Sequence, residues 1–287
     1  MSIPKYQNLR GAGWMLCAGV GWATMTILVR LLSSDYSPFE LLFFRNLVAL
    51  IILFPVSLKG GFGAIKTKRF PLHCLRAALA CTAVLCLYYA IAIVPLPSVT
   101  ALSFTQPLFV VTLAAILLKE RVTNARWSAV FVGFIGLLVI VRPGLIRIDF
   151  GTFIVLFSTI CYATSNICVK RLMTTDTPRQ AVIYFNLLML PLSLVPALIF
   201  WVTPGLEDLM MLIGIGICGT FAVYSYARAF TIADASAVMP FDFLRMPMIS
   251  LAALILFGEV GDVWTWVGAL IIFTSTYFLA RSDKEKN

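Results

Sequence analysis

Residues Ala235 to Glu259 read ASAVMPFDFLRMPMISLAALILFGE, an apolar run long enough to cross a bilayer that carries Asp242 and Arg245 near its middle. A charge at that depth costs roughly 2.5–3.5 kcal/mol on insertion scales, so such residues face a partner or a cavity rather than lipid. Three residues apart on a helix is one face, and the spacing predicts that the two charges can pair. Pro240 and Pro247 bracket them. Each removes a backbone donor, which bends the helix where the charges sit and frees carbonyls. Ionisable groups beside interrupted helix inside a membrane point to a binding site near the midplane.

The rest of the chain fits that setting. Its 287 residues are 61% hydrophobic and 12% charged, outside the soluble globular range. Ten apolar segments of membrane-crossing length fall at 11–32, 38–58, 71–94, 97–118, 124–142, 150–172, 179–202, 207–230, 234–257 and 262–281. The fold class is therefore all-α integral membrane. Of the Lys and Arg outside the spans, fifteen fall on one alternate set of loops and tails and three on the other: Arg30, Arg142 and Arg147. Basic segments stay in the cytoplasm, so both termini are expected there, in a multi-pass protein of the cytoplasmic (inner) membrane. The net charge of +9 is then a topology signal. It is spread over short loops instead of gathered on one face, and no nucleic acid is expected as partner. Seven cysteines in apolar segments, with no CxxC spacing, read as free packing thiols. One histidine, His73, builds no metal cluster, and no G-x-x-x-x-G-K-[ST] loop is present, so neither a metal, a cofactor nor nucleotide hydrolysis is expected.

Sliding the chain by 140 residues pairs Gly11 with Gly151, Ala23 with Ala163, Thr24 with Thr164, Pro38 with Pro178 and Asn46 with Asn186, without a gap. At the far ends, LAAILLKE (113–120) lies over AALILFGE (252–259), which places Glu120 over Glu259. The chain thus reads as two copies of a five-helix unit, 11–144 and 150–281. Five is odd, so the second copy enters from the opposite side, and the copies are expected to form an inverted-topology pair, the plan of many secondary transporters.

The repeat brings further polar groups into view. Trp22 and Thr26 occupy the positions of Tyr162 and Asn166, four residues apart on one face. Helix-to-helix hydrogen bonding accounts for Asn166 as well as substrate contact does. The third segment offers Tyr88 and Tyr89, and the eighth Tyr224, Ser225 and Tyr226. Arg76 and Arg228, near segment ends, read as side chains reaching the headgroups. Arg45 is either a tie between helices or a pathway charge, and the tie is the simpler reading. The candidate substrate-binding set is Asp242, Arg245, Trp22, Tyr162, Asn166, Gln106, Tyr88 and Tyr226, with Glu120 and Glu259 as gate or helix-end residues. An Asp held by an Arg keeps its charge, which favours exchange or facilitated movement over proton symport.

SPFELLFFR (37–45), GFIGLLVIVRPG (133–144) and the 235–259 stretch together resemble the EamA family of the drug/metabolite transporter superfamily, over nearly the whole chain. FELLFFR and ADASAVMPFDFLRMP are similar to its branch of bacterial S-adenosylmethionine uptake transporters. That branch often has an aromatic or Tyr-Arg-Tyr arrangement after the proline, whereas Phe241, Asp242 and Phe243 stand here. The resemblance implies ten spans in two inverted repeats around a central cavity, with the fifth and tenth spans peripheral. The expected function is a secondary transporter that moves a small polar or zwitterionic metabolite by alternating access, with export of amino acids, metabolites or drugs as the alternative. The lipid bilayer is its surroundings, and a homodimer is compatible. An intramembrane enzyme would need a nucleophile–base pair or a metal at depth, and neither is in the sequence; a passive channel would need charged rings.

Overall fold

The computed structural model describes residues 5–58, 67–120, 122–142, 149–233 and 235–282. Lys59, Lys66, Arg121, Arg147, Lys284 and Lys286, part of the charge asymmetry, lie outside them. The described residues form α1 (Lys5–Leu32), α2 (Pro38–Leu58), α3 (Phe70–Ile93), α4 (Leu96–Ser103), α5 (Gln106–Leu117), α6 (Asn124–Val141), α7 (Phe150–Leu172), α8 (Pro178–Ala197), α9 (Leu206–Ile232), α10 (Ala235–Asp242), α11 (Arg245–Phe257) and α12 (Val263–Ser282). Nine stretches among them are long and apolar enough to cross a membrane, α4–α5 and α10–α11 each counting as one, and the 21-residue α2 matches them in length. The protein is a multi-pass, all-helical membrane protein. Large apolar side chains such as Phe131, Phe153, Val195 and Ile255 point outward, where lipid replaces water as solvent.

Local chemistry sets the helix limits. Thr177 and Gln180 form a reciprocal capping box with Pro178 in the first turn of α8, and Asp149 caps α7 by accepting from the Thr152 N–H. Gly258 ends α11 in the left-handed conformation, at φ 67°. Two limits differ from expectation. Helix α1 begins six residues early, at Lys5 rather than 11. Helix α8 stops at Ala197 rather than 202: Pro191 and Pro196 lack donors, the chain turns with Ile199 N–H on the Pro196 carbonyl, and Trp201 swings onto Phe43 and Phe44 at 5.9 and 5.8 Å.

The most extensive helix contacts join the two halves of the chain: α1 with α9, α3 with α7, α6 with α12, and α2 with α8 and α9. The halves interleave into one body. Helices α6 and α12 pack chiefly on each other, where a Cβ at Gly136 would stand 2.8 Å from the Gly268 carbonyl. Close backbone approach of this kind is how helices associate in lipid. Gly21 serves similarly between α1 and α9, 3.0 Å from Ala222 by the same measure.

One end of the bundle holds Arg30, Glu259, Arg142 and Asp262; the other holds Glu120, Lys170, Arg171 and Asp176. They are called here the Glu259 end and the Glu120 end.

Candidate functional site

Two spans are interrupted, not one. Helix α10 stops at Asp242, Phe243 and Leu244 turn, and α11 begins at Arg245. Helix α4 stops at Ser103, Phe104 and Thr105 turn, and α5 begins at Gln106. Both breaks have one cause. Pro247 and Pro107 are the third and second residues of the restarted helices and have no N–H to continue the ladder from the preceding turn. The chain tightens instead, with Leu244 N–H on Phe241 O at 3.3 Å and Thr105 N–H on Leu102 O at 3.1 Å. The proline pair of the ninth span signalled its break. The matching Pro107 carries the same signal for the fourth span.

The break changes what Asp242 and Arg245 do. The helix is interrupted between them, and no ion pair joins them; the expected pair is thereby corrected. The inference that Asp242 is held charged by Arg245, and with it the argument against proton symport, loses its premise. Instead the Arg245 guanidinium lies between two rings, 4.9 Å from the Trp22 centroid and 4.8 Å from that of Phe104. Such contacts are worth up to about 2 kcal/mol each when desolvated. The Arg245 Nε is buried without a partner, and so is Asp242 Oδ1. Tyr226 packs on Trp22 at 5.2 Å and lies within electrostatic reach of both charges. Phe104 in turn stacks on Phe243 at 5.4 Å, and Phe243 on Phe273 at 4.6 Å.

Of the sequence-derived candidates, Trp22, Tyr226, Asp242 and Arg245 therefore meet at the breaks. Gln106 opens α5 at the second break, half-buried. Tyr88 and Tyr162 gather elsewhere, beside the Arg45 guanidinium. Asn166, one turn beyond Tyr162 and half-buried, makes none of these contacts. Tyr89 and Tyr224 are exposed, the latter edge-on to Trp14 at 5.9 Å. Phe104, Phe243 and Arg76 were not singled out as site residues from sequence. Arg76 does not reach out to headgroups. Its Nη1 donates to the Ala181 carbonyl at 2.8 Å and its guanidinium stacks on Phe185 at 4.6 Å, inside the junction of α3 and α8.

The helix-end glutamates each hold a cation. Glu259 pairs with Arg30 and accepts from the Leu96 N–H at 2.7 Å, while Arg30 also donates to the Ile91 carbonyl. Glu120 accepts from Lys170 at 2.7 Å, and neighbouring Arg171 donates to the Leu117 carbonyl at 2.9 Å. The two pairs differ in burial. The Arg30 and Glu259 side chains are 19% and 13% exposed, those of Lys170 and Glu120 57% and 36%.

Comparison with known proteins places this geometry. The EamA-like transporter family matches residues 9–142 and again 149–281. The chain is 32% identical to a riboflavin transporter of Vibrio cholerae, with 100% of this chain and 98% of that one covered. It is 30% identical to an S-adenosylmethionine uptake transporter of Rickettsia prowazekii, covering 96% and 94% respectively. A solved crystal structure superposes with a TM-score of 0.65 at 16% identity, over 95% of this chain and 98% of that one, which supports the fold. A double match across both halves, with relatives that span the whole length, means that this chain belongs to the EamA-like transporter family and is a transporter, not an enzyme.

Proposed function

We propose that the protein is a secondary transporter of the cytoplasmic membrane that carries a small polar metabolite by alternating access, with its substrate site at the two helix breaks. The observation that carries this reading is the pair of buried, unpartnered atoms Asp242 Oδ1 and Arg245 Nε, with Trp22, Phe104 and Tyr226 around them. A cavity of rings with a few unsatisfied polar groups is suited to a planar or heterocyclic body bearing polar substituents. Riboflavin and S-adenosylmethionine, the substrates named for two relatives, both have that form. Saturable, counterflow-stimulated uptake into proteoliposomes, with these two compounds and then a metabolite library ranked by thermal shift, tests the reading. Uptake that rises linearly with concentration and shows no counterflow contradicts it.

The ion pairs at the two ends fit the same cycle. In the 140-residue register Arg30 lies over Lys170, and the helix-end alignment lays Glu120 over Glu259. Arg30–Glu259 and Lys170–Glu120 are then counterparts at opposite ends of an inverted repeat, and they act as alternate gates. Both pairs are formed, and the Arg30–Glu259 pair is the more buried and is braced by two backbone groups. The start of α1 and the end of α12 lie at the Glu120 end, which the basic loops assign to the cytoplasm. A reporter fused after Asn287 is active inside the cell on this account, and activity only outside contradicts it.

A further inference from the structure

We propose that Arg45, together with the hydroxyls of Tyr88 and Tyr162, forms a subsite for an anionic group, carboxylate or phosphate, on the transported substrate. The proposal rests on the reading of the chain as a carrier and adds to it the charge of the cargo. Arg45 projects from α2 to a point where α3 supplies Tyr88, α7 supplies Tyr162 and α9 supplies Gly219. Glycine is what lets it pass: a Cβ at position 219 would stand 3.3 Å from Arg45 Nε and 2.9 Å from Met25 Sδ. The guanidinium is enclosed by protein, and the residue as a whole is half-buried.

What surrounds it is neutral hydroxyls without a counter-charge. Among the described residues no carboxylate pairs with Arg45. Glu40, on the same helix, turns away and accepts from the Val202 N–H at 3.4 Å. Tyr88 is 1% exposed, and its hydroxyl lies near the guanidinium but is not aligned to bond with it. Tyr162 faces Arg76 as well as Arg45, and Arg76 Nε is itself buried and unpartnered. A buried guanidinium without a carboxylate beside it is costly. A carboxylate or phosphate meets its planar fork with two parallel hydrogen bonds, and phenol hydroxyls can donate to the same oxygens.

The test is thermal unfolding of the full chain in lipid-free non-ionic detergent, titrated with inorganic phosphate against sodium chloride at equal ionic strength. The wild-type midpoint rises saturably with phosphate. The rise is lost in Arg45→Gln, weakened several-fold in Tyr88→Phe, and kept in Arg245→Gln, which damages the main site but not this one. Where Arg45→Gln does not fold, Arg45→Lys keeps the charge without the fork and requires about tenfold more phosphate for the same rise. A wild type with no saturable response, or an Arg45→Gln that keeps it, overturns the proposal. A response lost in Arg245→Gln but kept in Arg45→Gln also overturns it, while leaving the main site standing. So does a rise produced by phosphatidylglycerol micelles and not by free phosphate, which would make the ligand a lipid headgroup.

Discussion

Phe104 and Phe243, 139 residues apart in the chain, stack with ring centroids 5.4 Å apart. In the register that lays Glu120 over Glu259 they are counterparts. A residue that touches its own counterpart marks the axis relating two copies, so the proposed two-fold passes through both helix breaks. The Arg245 guanidinium, in van der Waals range of the Phe104 ring, then sits beside that axis, where rocking of one half on the other displaces the site least.

Removing one face of the Arg245 sandwich should weaken substrate binding. Trp22→Leu is expected to cost about 0.5–2 kcal/mol, or roughly 2- to 30-fold in affinity, and Trp22→Phe less, because a ring remains. Equilibrium binding of the substrate found in the thermal-shift screen measures this. Equal affinities for wild type and Trp22→Leu would remove the ring from the site.

The gates predict opposite responses to equivalent changes. With native cysteines replaced, a cysteine at Thr26, one turn from Trp22 toward the Glu259 end, should react several-fold faster with a membrane-impermeant thiol reagent in Glu259→Gln. Neutralising Glu120 should leave that rate unchanged or lower it. The same acceleration in both variants would show loosening of the bundle and not gating.

Asp176, in the turn between α7 and α8, accepts from Thr67 Oγ1 at 2.6 Å and meets His73 Nε2 at 2.8 Å. These contacts, the Thr67 hydrogen bond first, hold its carboxyl below the usual carboxylate range. A depressed folded value means that the ionised form stabilises the fold: the contribution is complete above the unfolded value of about 3.9 and is lost as pH falls through the lower folded one. Thermal unfolding of Asp176→Asn between about pH 6 and pH 3 should therefore show a shallower acid-side loss than wild type. Identical slopes would mean the contact is not linked to stability.

Much of this architecture was legible because lipid leaves so few solutions. Helices of membrane length, apolar outside and interrupted only around a cavity, follow from backbone hydrogen bonding in hydrocarbon, and nearly all segment limits lie within two residues of expectation. Relations that depend on where a helix breaks were not legible. The Asp242–Arg245 pair was expected from an unbroken helix, and two residues of turn separate the charges. Arg76 looked like a headgroup contact because its partners, Ala181 and Phe185, come from another helix, and the tyrosines beside Arg45 come from two others. Sequence spacing within one helix carries no information on those encounters.

Uptake by Asp242→Asn, Arg245→Gln and the double variant in proteoliposomes, with each protein verified as folded and inserted, tests the central claim most directly. If the charges bind substrate, each single change abolishes transport, removing one charge at nearly constant volume, and the double variant is as inactive as either. If they only support one another structurally, neutralising both leaves no buried charge uncompensated, and stability returns together with transport. The account predicts three folded, inactive proteins; recovered transport in the double variant would contradict it.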